Sequence, residues 1–460
     1  MIEEMKRRLN AISLFSSAGI GDIGFKASGM DFILMNELLR DRSDLLDVNY
    51  PNAKIVTEDI LTAYPQIIRD AKSLLSCNNE ESLFLISCTA PCQGMSKSGQ
   101  GTLLKNIREG KRPQLDPRNR LILPALKIIQ KLCPEFVVFE NVQEMRNTLI
   151  EDENGVPRKI LDLVSEYLGK EYSGEAYDIE MADYGVPQRR KRLITVYTKN
   201  TIAKEYFNCG VSLVPAPTHS SNVSQGKARW VSVAEALKDF PKLDAKAERT
   251  AACANIPFHR VSVISPEKYE WIRHAPENSS AFDNQCINPK CRYDKNQTHS
   301  ASKNHLGINQ TSKTTPLYCE KCGSLLPRPY VKLPDGKLRI MSGYTSAYKR
   351  MSPRLPAPTL TRNMSFPCSD QKVHYSQNRV LSLAEAFRLH TLDRYNYQWG
   401  PVKKTDFFPG AQASDTTIRE SIGESIPPLF LELLGKHLQA LTTRNRFKAE
   451  GKQLELLSAV

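Results

Sequence analysis

The chain has 460 residues, of which 40% are hydrophobic, 8% aromatic and 25% charged; this excludes wholesale disorder and leaves room for two domains, or one with a large insertion. No apolar run approaches the ~18 residues of a membrane span, and Met1–Arg8 leads into no apolar segment of the secretory kind, so a cytoplasmic protein without membrane attachment is expected. Lys and Arg outnumber Asp and Glu by 63 to 50, a net +13, which implies either a polyanionic partner or a basic solvated surface.

Residues 1–204 alternate short apolar runs with amphipathic stretches. The expected strands are Ala11–Phe15, Phe32–Met35, Lys54–Val56, Leu83–Ile86, Phe136–Phe139 and Leu193–Val196. Leu121–Ile129 and Ile160–Val164 carry the spacing of helices with one apolar face. Such alternation predicts an α/β fold with a Rossmann-like, doubly wound, mostly parallel sheet, whose ligands lie outside the carboxyl ends of the strands.

The residues that follow each strand therefore carry the functional reading. After the first come Phe15-Ser16-Ser17-Ala18-Gly19-Ile20-Gly21, small enough for a tight turn beside a bound nucleoside. The second ends at Asn36-Glu37, where a carboxylate can take both ribose hydroxyls, and the third at Glu58-Asp59-Ile60, in position for an adenine amino group. After the fourth stands Ser87-Cys88-Thr89-Ala90-Pro91-Cys92-Gln93; Cys88 reads as buried and Cys92 as a partly exposed thiol able to ionise. The fifth ends with Glu140-Asn141-Val142, facing the same crevice. Gln188-Arg189-Arg190-Lys191-Arg192 leads directly into the sixth strand, so its cations are expected to point into the cleft.

From about residue 205 the pattern turns loop-rich, giving a second domain over 205–355, before 356–460 returns to the first domain with helices at Leu383–Leu389 and Leu429–Leu441. Leu454–Leu457 has the composition of a further helical turn. Residues 1–200 sum to about −1, 201–350 to about +10 and 351–460 to about +4, so the excess charge is concentrated in the loop-rich region. The 11 cysteines, odd in number and scattered, suit a reduced, intracellular protein. Four of them, Cys286-x4-Cys291 and Cys319-x2-Cys322, can form a tetrahedral thiolate set for structural zinc; the segment 286–322 has little else to form a core. His299 and His305 lie within it and could replace a thiol.

Taken in order, Phe15-x-x-Ala18-Gly19, Pro91-Cys92-Gln93, Glu140-Asn141-Val142 and Gln188-Arg189-Arg190-x-Arg192 resemble the motifs of the cytosine-C5 DNA methyltransferases. Asp116-x-Arg118-x2-Leu121, Ala357-Pro358-Thr359-Leu360-Thr361 and Arg379-x2-Ser382-x2-Glu385 extend the resemblance over most of 11–200 and 350–440. It implies S-adenosylmethionine as cofactor, held by Phe15, Ala18, Gly19, Glu37, Asp59, Ile60 and Pro91. It implies double-stranded DNA as substrate, with the target cytosine flipped out of the duplex. Cys92 would be the nucleophile at C6, Glu140 the partner of N3 and the exocyclic amine, and Arg190 and Arg192 the groups holding the base and its phosphate. The basic loop after Cys92, with Lys97, Lys105, Arg108, Lys111 and Arg112, would close over the DNA. Residues 205–355 would be the target recognition domain, with zinc ordering its loops for the major groove. A nucleoid-associated enzyme with a companion restriction endonuclease fits this reading; recognition sequence and oligomeric state stay open. The alternatives are a transfer-RNA cytosine-5 methyltransferase of the same chemistry and a non-catalytic, zinc-bearing DNA-binding module. Two departures stand out: Ser17 occupies a glycine position of the first motif, and Gly423-Glu424-Ser425-Ile426-Pro427-Pro428 puts a glutamate where the family carries asparagine.

Overall fold

The computed structural model describes residues 7–77, 82–91, 116–222, 226–303, 309–312, 314–341, 345–369, 371–400, 402–403, 409–444, 447–450 and 453–456. Seven strands form the central sheet: β1 (Leu9–Leu14), β2 (Met30–Asn36), β3 (Lys54–Val56), β4 (Leu85–Cys88), β5 (Phe136–Asn141), β6 (Ser173–Glu180) and β7 (Lys191–Thr198). They lie in the order β3-β2-β1-β4-β5-β7-β6. The first five pair in parallel, and β7 runs antiparallel to both β5 and β6. The chain thus winds outward from β1 to β3 and restarts at β4, which puts a topological switch point between the carboxyl ends of β1 and β4.

Burial alternates along each strand, because successive side chains face opposite sides of the sheet. On β5, Val137 and Phe139 join the core formed with α3 (Ile60–Cys77), α4 (Ile122–Leu132) and α5 (Ile160–Leu168). Phe136 and Val138 join the other core, with α1 (Asp22–Ala27), α2 (Arg40–Asn49) and α6 (Thr201–Asn208). Phe136 has no exposed surface; truncating such a side chain to alanine costs about 3–5 kcal/mol. Strand β6 was not among the expected strands. It is the sheet edge, half exposed along its length, and Ser173-Gly174-Glu175 carries no apolar alternation to announce it.

The late segment holds α7 (Leu383–Leu389), α8 (Asp415–Glu424) and α9 (Pro428–Leu441), the first and last where helices were expected. Helix α9 lies so close to α1 that a Cβ on Gly24 would stand 2.0 Å from the Pro428 carbonyl oxygen, so only glycine fits there. The Arg379-x2-Ser382-x2-Glu385 pattern has a local meaning: Ser382 and Glu385 form a capping box at the start of α7. Glu385 also takes two hydrogen bonds, 2.7 and 2.6 Å, from the Arg379 guanidinium, both groups being fully buried. Gln453–Leu456, where a helical turn was expected, instead pairs antiparallel with Phe447–Glu450.

The boundary expected at 204/205 falls inside α6, and Val211, Leu213, Val233 and Leu237 still pack into the first core. A separate, small core begins later, around Trp271, Ile272, Phe282, Tyr348 and Val373. The elements around it are short, such as the ribbon Tyr330–Lys332 with Leu338–Ile340. Two buried arginines hold the intervening loops by their carbonyls. Arg328 donates to Asn284, Gln297 and Pro316, and Arg350 to Ile272, Ala275, His374 and Gln377, at 2.7–3.0 Å. Among the described residues, no helix is long and apolar enough to cross a membrane.

Candidate active site

The turn after β1 has left-handed backbone at Phe15 (φ 60°), Ser17 (φ 46°) and Gly19 (φ 69°), a costly conformation for the two non-glycine residues. It is fastened from several sides. Tyr397 Oη donates to the Ala18 carbonyl at 2.6 Å, Tyr50 Oη to the Gly19 carbonyl at 2.5 Å, and Thr89 Oγ1 to the Phe15 carbonyl at 2.7 Å. The last bond ties the turn to the loop after β4, which runs through Ala90 and the half-buried Pro91.

Glu37, at the end of β2, accepts from the backbone N–H groups of Ser17 and Leu39, each at 2.8 Å. Burial raises its carboxyl above the usual range, and these backbone bonds oppose the rise. A carboxylate has about four acceptor sites, so these bonds leave it capacity for a ligand. Asn36 donates to the Val56 and Glu58 carbonyls at 2.9 and 3.0 Å, which brings Asp59 and the buried Ile60 beside the same crevice; Asp59 also accepts from Leu61 N at 2.9 Å, at the start of α3. The seven residues expected to hold a cofactor thus line the ends of β1 to β4.

Beneath the turn lies a group that sequence reasoning did not single out. Asp22 is buried against the Ser13–Ser87 step of the β1–β4 pair, accepts from Ser13 Oγ at 2.7 Å, and burial lifts its carboxyl to about 7.

At the end of β5, Glu140 Oε1 meets Arg192 Nε of β7 at 2.7 Å, with side-chain exposures of 12% and 14%. Their neighbour Asn141, nearly fully buried, donates to the Ala90 carbonyl at 3.0 Å and so fixes the loop leading to Cys92. Cys88 is fully buried, and burial pushes its thiol up to about 12, so it stays protonated, as expected of a strand-end cysteine. Cys92 itself, and the basic loop carrying Lys97, Lys105, Arg108, Lys111 and Arg112, lie outside the described residues.

Arg190 departs from the sequence expectation that it holds the base. It is fully buried, with its guanidinium donating to the carbonyls of Leu360 at 3.1 Å and Gly423 at 2.9 Å. Gln188 complements it, accepting from Leu360 N at 2.9 Å and bonding the ring of the buried His390 at 3.2 Å. These two residues join the late Pro-Thr-Leu segment and α8 to the sheet, and leave Arg192 to face Glu140. The same arrangement opens a cleft of about 730 Å³ between the sheet edge and the second region, with Arg189, Lys191, Arg192, Thr359 and Gln371 in its walls.

In the second region the sulfurs of Cys286, Cys291, Cys319 and Cys322 lie within 4.8 Å of one another. The Cys286–Cys322 and Cys291–Cys319 separations are 3.6 and 3.9 Å. A tetrahedral ion with ~2.3 Å metal–sulfur bonds needs edges of about 3.8 Å, so the donor set fits zinc in number, chemistry and size. His299 takes no part: it stacks on Phe282 and bonds Thr315 Oγ1 at 2.8 Å. His305 lies outside the described residues.

Comparison with known proteins agrees with this geometry. The model of the C-5 cytosine-specific DNA methylase family matches residues 9–440. The chain is 28% identical to the type II methyltransferase M1.HgaI of Avibacterium volantium over 444 residues, 94% of this chain and 99% of that one. It is 23% identical to the type II methyltransferase M.DdeI of Desulfomicrobium norvegicum, over 94% and 88% of the two chains. Among solved structures, a candidate DNA modification methyltransferase encoded within an E. coli prophage superposes with a TM-score of 0.53 at 18% identity, covering 94% of this chain and 99% of that one.

Proposed function

Since the chain belongs to the C-5 cytosine-specific DNA methylase family and is a DNA (cytosine-5)-methyltransferase, we propose how its own residues divide the reaction. The Cys92 thiolate adds to C6 of a flipped cytosine, forming a C6–S bond and moving the C5=C6 electron pair onto C5. Glu140 hydrogen-bonds N3 and the exocyclic amine, offsetting charge that develops in the ring. Arg192 orients Glu140 and adds positive charge beside the base. S-adenosylmethionine would supply the electrophilic methyl group that the C5 electron pair takes, and Glu37, Asp59, Ile60 and the turn from Phe15 to Gly19 would form its cradle. Loss of the C5 proton then returns an electron pair to the ring and expels Cys92.

The observation that carries this reading is the 2.7 Å Glu140–Arg192 contact at the carboxyl edge of the sheet, beside the loop that Asn141 ties down. The test is covalent trapping. Duplex DNA carrying 5-fluorocytosine blocks loss of the C5 substituent, so wild type should form a stable adduct and Cys92→Ser none; an adduct that survives Cys92→Ser would overturn the assignment of the nucleophile.

For residues 205–355 the proposal is target recognition in the major groove, ordered by one structural zinc ion on Cys286, Cys291, Cys319 and Cys322. The spacing of the four sulfurs supports it. Metal analysis of the purified protein is expected to give about one zinc per chain.

A further inference from the structure

The two departures from the family motifs meet in space. Ser17, on the cofactor turn, places its Oγ 3.4 Å from Oε2 of Glu424, at the end of α8, although 407 positions separate them in the chain. The contact is backed by a buried cation. Arg42, 1% exposed, donates to Asp41 at 2.7 Å and to Glu420 at 2.9 Å, and its Nε stands 3.7 Å from Glu424. That Nε is buried without a hydrogen-bond partner. One guanidinium therefore serves three carboxylates, and among the described residues it is the cation recorded against Glu424. Burial raises the Glu424 carboxyl, Arg42 opposes the rise, and Glu420 and Glu37 reinforce it. The Glu424 side chain nevertheless keeps 40% of its surface exposed beside the turn. The corner of the cofactor cleft thus holds more negative than positive charge, and a cation arriving from the cleft side would relieve it.

We propose that Glu424 is a cofactor-binding carboxylate, which engages a positively charged group of S-adenosylmethionine, and that Arg42 and Ser17 position it. The cofactor has two such groups, the α-ammonium and the sulfonium. The carboxylate's charge suits either, and a ligand series separates them. This proposal rests on the methyltransferase reading, and it concerns binding, which can be measured without turnover.

The experiment is equilibrium binding of S-adenosylmethionine, S-adenosylhomocysteine and 5′-methylthioadenosine to full-length wild type and Glu424→Gln. A charge-assisted hydrogen bond at a half-exposed site predicts about a tenfold loss of affinity. Loss for both amino-acid-bearing ligands, with methylthioadenosine unaffected, identifies the ammonium. Loss for S-adenosylmethionine alone identifies the sulfonium. Equal loss for all three, or no loss, overturns the proposal, since the first would mean a disturbed turn and the second no contact. Unaltered thermal unfolding of Glu424→Gln shows that the variant is intact. Arg42→Gln, which keeps some hydrogen-bonding capacity but loses the charge, is expected to reproduce the same ligand pattern with a smaller loss. Failure of wild type to bind any of the three would instead strike at the cofactor reading itself.

Discussion

The sheet half and the loop-rich half of this molecule are held together by different physics. In the first, strands and helices bury two continuous apolar cores, and polar contacts fasten the turns that carry chemistry and a few helix ends such as that of α7. In the second, a small core around Trp271, Phe282 and Tyr348 is supplemented by guanidinium groups that gather loop carbonyls and by four thiols in one cluster. A sheet specifies its own backbone partners. Irregular loops do not, so buried donors must do so. The lesson is that a loop-rich region can keep irregular backbone only if something other than secondary structure pins it.

Four experiments would break or sharpen this contrast. The largest effect is expected from Glu140→Gln or Arg192→Ala: a fall of about 10²–10³ in kcat with DNA and cofactor affinity nearly unchanged, measured in single-turnover methyl transfer. If affinity fell and kcat held, the pair would belong to binding and not to the chemical step. Next, Cys319→Ser or zinc removal should unfold only the loop-rich half. DNA affinity should drop at least about a hundredfold while S-adenosylhomocysteine binding stays within twofold, because the proposed cofactor cradle lies in the other half. Parallel loss of both would show that the halves are not separately held.

Arg350→Leu strips donors from several buried carbonyls and should cost about 3 kcal/mol or more, seen as faster amide exchange around residues 272–283 and 373–378 with β1, β4 and β5 still protected. The last effect is read against pH and concerns Asp22. Its folded carboxyl titrates near 7, above the unfolded value of 3.8. Between those values the folded state holds more protons than the unfolded one, so Asp22 lowers stability progressively as pH rises from about 4 to about 7, with no further change above. Asp22→Asn should remove that slope. A melting-temperature difference between variant and wild type that stayed flat across this window would refute the assignment.

Much of the sheet half was legible in the sequence. Lys54–Val56 coincides with β3, and the other expected strands overlap β1, β2, β4, β5 and β7, because strands of a covered central sheet read as apolar runs. The positions of Glu37, Asp59 and Glu140 were readable for the same reason: each lies within three residues of the end of such a run. What escaped was whatever depends on distant partners. Arg190 sits in a cationic cluster that suggests a cleft, yet the carbonyls it meets belong to residues 360 and 423, which nothing in residues 188–192 announces. Arg42 was invisible in the same way, and the pairing of Ser17 with Glu424 needed both ends of the chain to be seen together. The four cysteines are the exception: their spacing alone gave the cluster, since thiols in this number have few other reasons to converge.

The tight seat of Gly24 against Pro428 has a consequence for how the protein is made. Ribosomes deliver ~5–20 residues per second, so about 20–80 seconds pass between the emergence of these two positions. Throughout that interval the face of α1 destined for α9 has no cover, and the turn at Ser17 lacks the helix that brings Glu424 to it. The loop-rich region must emerge and begin to order itself while this side of the sheet half is still open. A chain released early, however complete its motifs up to Arg192, would have half a cofactor corner and an exposed apolar face: inert toward DNA, and a natural client for chaperones or proteases.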